Sequence, residues 1–156
     1  MNRNKTVLFS YFISAVFFIL ITVPQSKAQE VDIAEKILTY VQTVMDKKVD
    51  RGECWDLIAF ALDHSGANWQ RTDGFGKKVN FPKEPLRSGD IMRMTDIEYN
   101  WGGKTSGHYA IVVEIIDNNL LRIADQNVAG VRLVKIREFN LNDIKKGKVE
   151  FFRPSY

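Results

Sequence analysis

A single cysteine sets the first limit on this chain: with one thiol in 156 residues no intramolecular disulfide can form, so the fold is held by packing alone. Cys54 is therefore a candidate reactive thiol rather than a staple. No Cys-x-x-Cys pair exists, and the two histidines, His64 and His108, are not at helical spacing, which argues against zinc. A thiol redox couple lacks its resolving cysteine. Asp46, Asp50 and Asp56 near the thiol are interleaved with Lys47, Lys48 and Arg51, and a hard cation wants more oxygen ligands than that. No metal and no cofactor are expected. Internal repeats, low-complexity tracts and linkers are also missing.

An excess of one charge is missing too, once the N-terminus is set aside. Arg3 and Lys5 precede an uncharged, mostly apolar stretch from Val7 to Val23, and Ser26-Lys27-Ala28 offers small residues where a signal peptidase reads. Residues 1–28 are expected to be a signal peptide cleaved near Ala28, giving a secreted or periplasmic protein with no stable membrane anchor. An uncleaved anchor is the alternative, which Pro24 and the small-x-small site disfavour. The leader holds three of the 22 basic residues and no acid, so 19 basic residues face 19 acidic ones in the remainder. That balance leaves nothing to suggest a nucleic-acid partner, which would want a basic face, and none is expected. The 128 residues from Gln29 suit one domain with one core, expected to be a monomer.

What is present is a change of period. Asp32 with Glu35 has the form of a capping box, and Ile33, Ile37, Tyr40, Val41 and Val44 follow at helical spacing to about Met45. A polar connection from Asp46 to Gly52 leads to a second helix, Cys54 to about Asp63, apolar almost all round and stopped by Ser65-Gly66. Beyond it the pattern turns towards strands: Ile91 to Met94, Tyr109 to Ile116, Leu120 to Gln126, Val131 to Ile136 and Val149 to Arg153. A glycine- and aromatic-rich loop is expected from Thr95 to Gly107, a turn at Asp117-Asn118-Asn119, and a helical turn near Leu141 to Lys145. Helices first and a strand meander after them predict an α+β domain, with N-terminal helices packed on an antiparallel sheet.

The chemistry-bearing residues lie at the ends of these elements. Cys54 falls on the first turn of its helix, where free backbone N–H groups and the helix dipole favour an anion. His108 opens an apolar strand after Ser106-Gly107 and is the expected base, whereas His64 is carried round its helix away from the thiol. An imidazole base needs an orienting partner, and the strand end at Asp125-Gln126-Asn127 offers three. A hairpin symmetric about Asn118 pairs Glu114 with Arg122 and puts Gln126 on the face of His108; a bulge would put Asp125 and Asn127 there instead. Spacing alone does not choose. Thiol, imidazole and polar orienter on separate elements suit nucleophilic acyl transfer. Trp101, Tyr99 and Trp55 could line a ligand groove, with core packing the plainer role for Trp55.

Gly-x-Cys-Trp at a helix start, Leu86-x-Ser-Gly-Asp-Ile before a strand, Gly-His-x-Ala-Ile-Val and then Asp-Gln-Asn together resemble the CHAP family of cysteine, histidine-dependent amidohydrolases/peptidases. That family is papain-like and related to NlpC-type cell-wall peptidases; the resemblance covers roughly Asp50 to Asn127. It implies a papain-like fold and cleavage of amide bonds, mostly in peptidoglycan. It also implies Cys54 as nucleophile, His108 as base, Asp125 in place of the usual Glu, and Asn127 as the matching Asn. A non-catalytic binding module on the same fold is the second expectation. One departure is Glu53, a carboxylate where papain-like enzymes often keep an oxyanion-stabilising group, leaving the Cys54 backbone N–H as a donor.

Overall fold

Ile33, Ile37 and Val41 fall on one side of a helix and are fully buried, with Tyr40 and Val44 packed beside them. The structure, a computed structural model, describes residues 25–72 and 74–156. Most of the expected leader, residues 1–24, lies outside the described residues. Helix α1 runs Gln25–Val44, so it starts well before Asp32 and passes through the expected cleavage site at Ala28. Ala28, Gln29 and Glu30 are good helix formers with nothing to stop the helix at Asp32. The Asp32 carboxylate, instead of capping, accepts from Lys36 at 2.8 Å and from the Tyr156 hydroxyl. Among the described residues no helix is long and apolar enough to cross a membrane.

Helix α2 spans Cys54–Ser65. At its start Asp56 reaches back to accept the Glu53 N–H at 3.0 Å, and at its end Gly66 takes the left-handed conformation (φ 73°) that a terminal turn needs. Leu57, Ile58, Ala61 and Leu62 are fully buried against α1 and the sheet.

The sheet has six antiparallel strands: β1 Lys77–Val79, β2 Ile91–Tyr99, β3 Lys104–Ile115, β4 Leu120–Asp125, β5 Lys135–Asn140 and β6 Ile144–Arg153. Their spatial order is β1-β6-β2-β3-β4-β5, with a 3-10 turn at Leu141–Asp143 joining β5 to β6. One face, carrying Ile91, Ile111, Ala124 and Phe152, packs on the helices. Alternate residues (Met92, Met94, Ala110, Val112, Ile123, Phe151) form a second cluster with Leu86 and Phe81 of the β1–β2 connection and Leu141. The result is an α+β domain.

Two expected segments differ. The stretch from Thr95 to Gly107 is no loop: β2 and β3 stay paired through Thr95↔Gly107, Ile97↔Thr105 and Glu98↔Lys104, and only Asn100 to Gly103 turn. Its glycines and aromatics masked the alternation that buries Met94 and Ile97. The strand expected at Val131–Ile136 begins later, at Lys135, because Val128 and Val131 bridge in a tight turn that leaves Val131 half exposed. The three-residue β1, paired with β6, carried no sequence pattern long enough to read.

Candidate active site

The β3–β4 ladder decides which side chains meet. It pairs Glu114 with Arg122 and Ile115 with Leu121, then shifts by one residue, so that Val112 faces Ile123 and Ile111 faces Ala124. The extra residue is Val113. The shift is the bulge the sequence left as an alternative, and it reverses the facing of everything beyond it. Asp125 therefore shares a face with His108, and Gln126 turns to the helices.

His108 stands beyond the last β3–β4 pair and is buried. Its Nε2 lies 2.9 Å from Asp125 Oδ2. A carboxylate only accepts, so Nε2 carries the proton and Nδ1 is left for the thiol. Cys54, half-buried at the first turn of α2, lies near enough to the same ring to act on its titration. Burial alone would push the His108 pKa down; the bond to Asp125 and the proximity of Cys54 outweigh it and raise it from 6.5 to about 9.

Asp125 is almost fully buried and is held from a second side by Arg137 of β5, whose Nε reaches its two oxygens at 3.2 and 2.9 Å and whose Nη2 reaches Oδ2 at 2.5 Å. Arg137 had no role in the sequence reading. It follows the strand that was expected to end at Ile136; in the true β5 it alternates with Phe139, and a charge on the inward side of a strand is the signal that would have exposed it.

Gln126 is a strap rather than an orienter. Its Oε1 accepts the Val49 N–H at 3.2 Å, and its Nε2 donates to the Val49 and Glu53 carbonyls at 3.2 and 2.6 Å. It thus pins the connection that delivers Cys54. Asn127, expected to contact or lie beside the ring, lines the same cavity as His108 and donates to Glu53 Oε2 at 2.6 Å, and its φ of 63° turns the chain off the strand. The other Glu53 oxygen pairs with Arg132 at 3.1 Å, so the carboxylate before the thiol is engaged on both oxygens. His64 is exposed and packs on the Tyr40 ring, far from this chemistry in role.

A cavity of about 470 Å³ opens beside the ring, lined by His108, Asn127, Lys104, Arg137, Tyr99 and Trp101 among others. Tyr99 and Trp101 stack with ring centroids 4.5 Å apart and only 9° between planes, and Trp101 is two-thirds exposed. Trp55 does not line it. That side chain packs against Trp69, Phe75 and Tyr109, with centroids 5.3–6.0 Å away, because the first turn of α2 directs it into the helix–sheet core. Among the described residues no group of His, Cys, Asp and Glu gathers to hold a metal ion.

Comparison with known proteins agrees with this architecture. The family model of the AIM3/BBC1 cysteine proteinase-fold domain matches residues 25–156. Altered inheritance of mitochondria protein 3 of Debaryomyces hansenii is 26% identical over 178 residues, taking in 98% of this chain and 19% of that protein. The chain thus spans about a fifth of the length of that curated relative. Crystal structures of Ly7917, alone and with the hydrolyzing product of MDP, superpose with TM-scores of 0.51 and 0.52 at 16% and 18% identity. Each covers 78% of this chain and 62% of the other, a likeness of fold.

Proposed function

We propose that this chain, which belongs to the AIM3/BBC1 cysteine proteinase-fold domain family, is an exported cysteine amidase or endopeptidase whose site resembles that of CHAP enzymes. The observation that carries the reading is the order Asp125, His108, Cys54, with the ring held by a buried carboxylate at 2.9 Å and the thiol near it at a helix N-terminus. His108 Nδ1 takes the thiol proton, and the thiolate attacks an amide carbonyl. The Cys54 backbone N–H, on the first turn of α2 where N–H groups have no intrahelical partner, is the donor for the oxyanion. The protonated ring then delivers its proton to the leaving amine, and water hydrolyses the thioester. Peptidoglycan amides are the proposed substrate, reached after export through the 1–28 leader; the fold neighbour crystallised with a hydrolysis product of MDP adds support to that substrate class.

Digestion of purified peptidoglycan, with mass analysis of the fragments, tests the reading. Wild-type protein should release fragments, and Cys54→Ala and His108→Ala should release none while keeping the fold by circular dichroism. No fragment from several wall types would sink the cell-wall assignment.

A binding module without turnover is the second reading. It is favoured by a cavity lined by His108 and Asn127 but not by Cys54, and by the carboxylate of Glu53 directly before the thiol. Tyr99 and Trp101 would then carry the ligand. Iodoacetamide separates the two: a hydrolase alkylates at Cys54 faster than a free thiol at neutral pH, a module at the same rate.

A further inference from the structure

Arg137 is half used. Its Nε and one Nη2 proton hold Asp125, while Nη1 has no partner among the described residues. The side chain is about a third exposed and lines the 470 Å³ cavity beside His108. A guanidinium clamped on one edge is pre-oriented on the other, so the free edge offers a planar pair of donors at little further cost in side-chain entropy. Lys104 lines the same cavity, and among the described residues its ion pair is a loose 3.9 Å contact to Glu98. On the acidic side, both Asp143 and the exposed Glu138, which follows Arg137 on β5, line the cavity, so Arg137 and Lys104 meet an anionic group against two carboxylates at its rim.

We propose that Arg137 is a specificity-determining residue, anchoring a carboxylate of the substrate a residue or so from the bond that Cys54 attacks. This rests on the hydrolase reading and deepens it: the preferred substrates are short acyl-amino acids or peptides with an anionic group near the scissile amide. Arg137 occupies both the orienting chain and the substrate cavity, so recognition of that carboxylate and fixing of Asp125 share one side chain.

Electrophilic probes test this without a known substrate. Iodoacetylglycine carries a terminal carboxylate, iodoacetylglycine amide none, and iodoacetylglutamate α-amide only a side-chain carboxylate. In each case the Cys54 sulfur displaces iodide. The wild type should react with one or both acids about tenfold faster than with the neutral amide, the equivalent of one charge-assisted hydrogen bond, and the faster acid tells a chain terminus from an acidic side chain. Arg137→Gln should bring the ratio to about one, whereas Arg122→Gln, on an exposed pair with Glu114, should leave it unchanged. Added salt should compress the wild-type ratio, a readout independent of any variant's folding. A wild-type ratio of one, or a ratio that survives Arg137→Gln, overturns the anchor. The rate with plain iodoacetamide judges the hydrolase reading separately: an unactivated thiol with an intact acid preference would refute the chemistry and leave the anchor standing.

Discussion

Asp125 accepts hydrogen bonds from His108 and from Arg137, and the balance between them sets how firmly the imidazolium is held. Truncating it to alanine should lower the Cys54 alkylation rate at neutral pH and any amide turnover by about 10²–10⁴, the range seen when an imidazole loses its orienting carboxylate. The basic limb of the alkylation profile, expected near the His108 pKa of about 9, should move towards 6.5 in the same variant. An unmoved limb would show that Asp125 does not govern the ring. Asn127→Ala, whose bond goes to Glu53, should have a smaller effect on both. For Gln126→Ala the structure shifts the expectation from chemistry to stability. The truncation would strand the buried Val49 N–H and the carbonyls it now serves, at about 2 kcal/mol, measurable by urea unfolding.

At the level of elements, a register shift and a turn do most of the positioning. The bulge at Val113 lets β3 present His108 on the face of Asp125 while keeping the Glu114–Arg122 pair in place at 3.2 Å. On the other side of β2, the pairing with β6 slips between Thr95 and Glu98, where Asp96 has a φ of 49° and Gly147 one of 108°. A Cβ at Gly147 would come within 2.4 Å of the Asp96 carbonyl oxygen, and no flexible side chain is there to yield. Gly147→Ala should therefore cost about 3 kcal/mol through strain and clash together, read as a fall in the denaturation midpoint. An unchanged midpoint would mean that the β2–β6 register is looser than its geometry.

For the molecule as a whole, the site couples stability to pH. His108 titrates at about 9 in the folded chain and near 6.5 when unfolded, so the native state binds the extra proton between those values. Its contribution, about 3 kcal/mol, is fully present below pH 6.5 and is lost as pH rises through 9. Urea unfolding across that window should show stability falling with pH in the wild type, with the slope flattened in His108→Gln. A wild-type curve that rises or stays level there would contradict the linkage. With one cysteine and no disulfide, reductant should leave the curve where it is.

Much of this could be read from the sequence because it is local. The period of Ile33, Ile37 and Val41, the glycine stop after α2, the turn at Asp117-Asn118-Asn119 and the Glu114–Arg122 pair all depend on neighbours a few residues apart. Cys54 and His108 were legible for a different reason: each is nearly alone of its kind, so composition narrowed the choice before geometry did. What the sequence left open was whatever depends on one inserted residue or on a distant strand. A single bulge at Val113 decided between Asp125 and Gln126, because the side-chain period of a strand is two and one residue reverses it. Arg137 and the Gln126 strap came from β5 and from a contact 77 residues long in sequence, which no local pattern encodes. The residue types were there to be read; tertiary pairing alone determined which of them face the thiol, which hold the backbone, and which free edge is turned to the cavity.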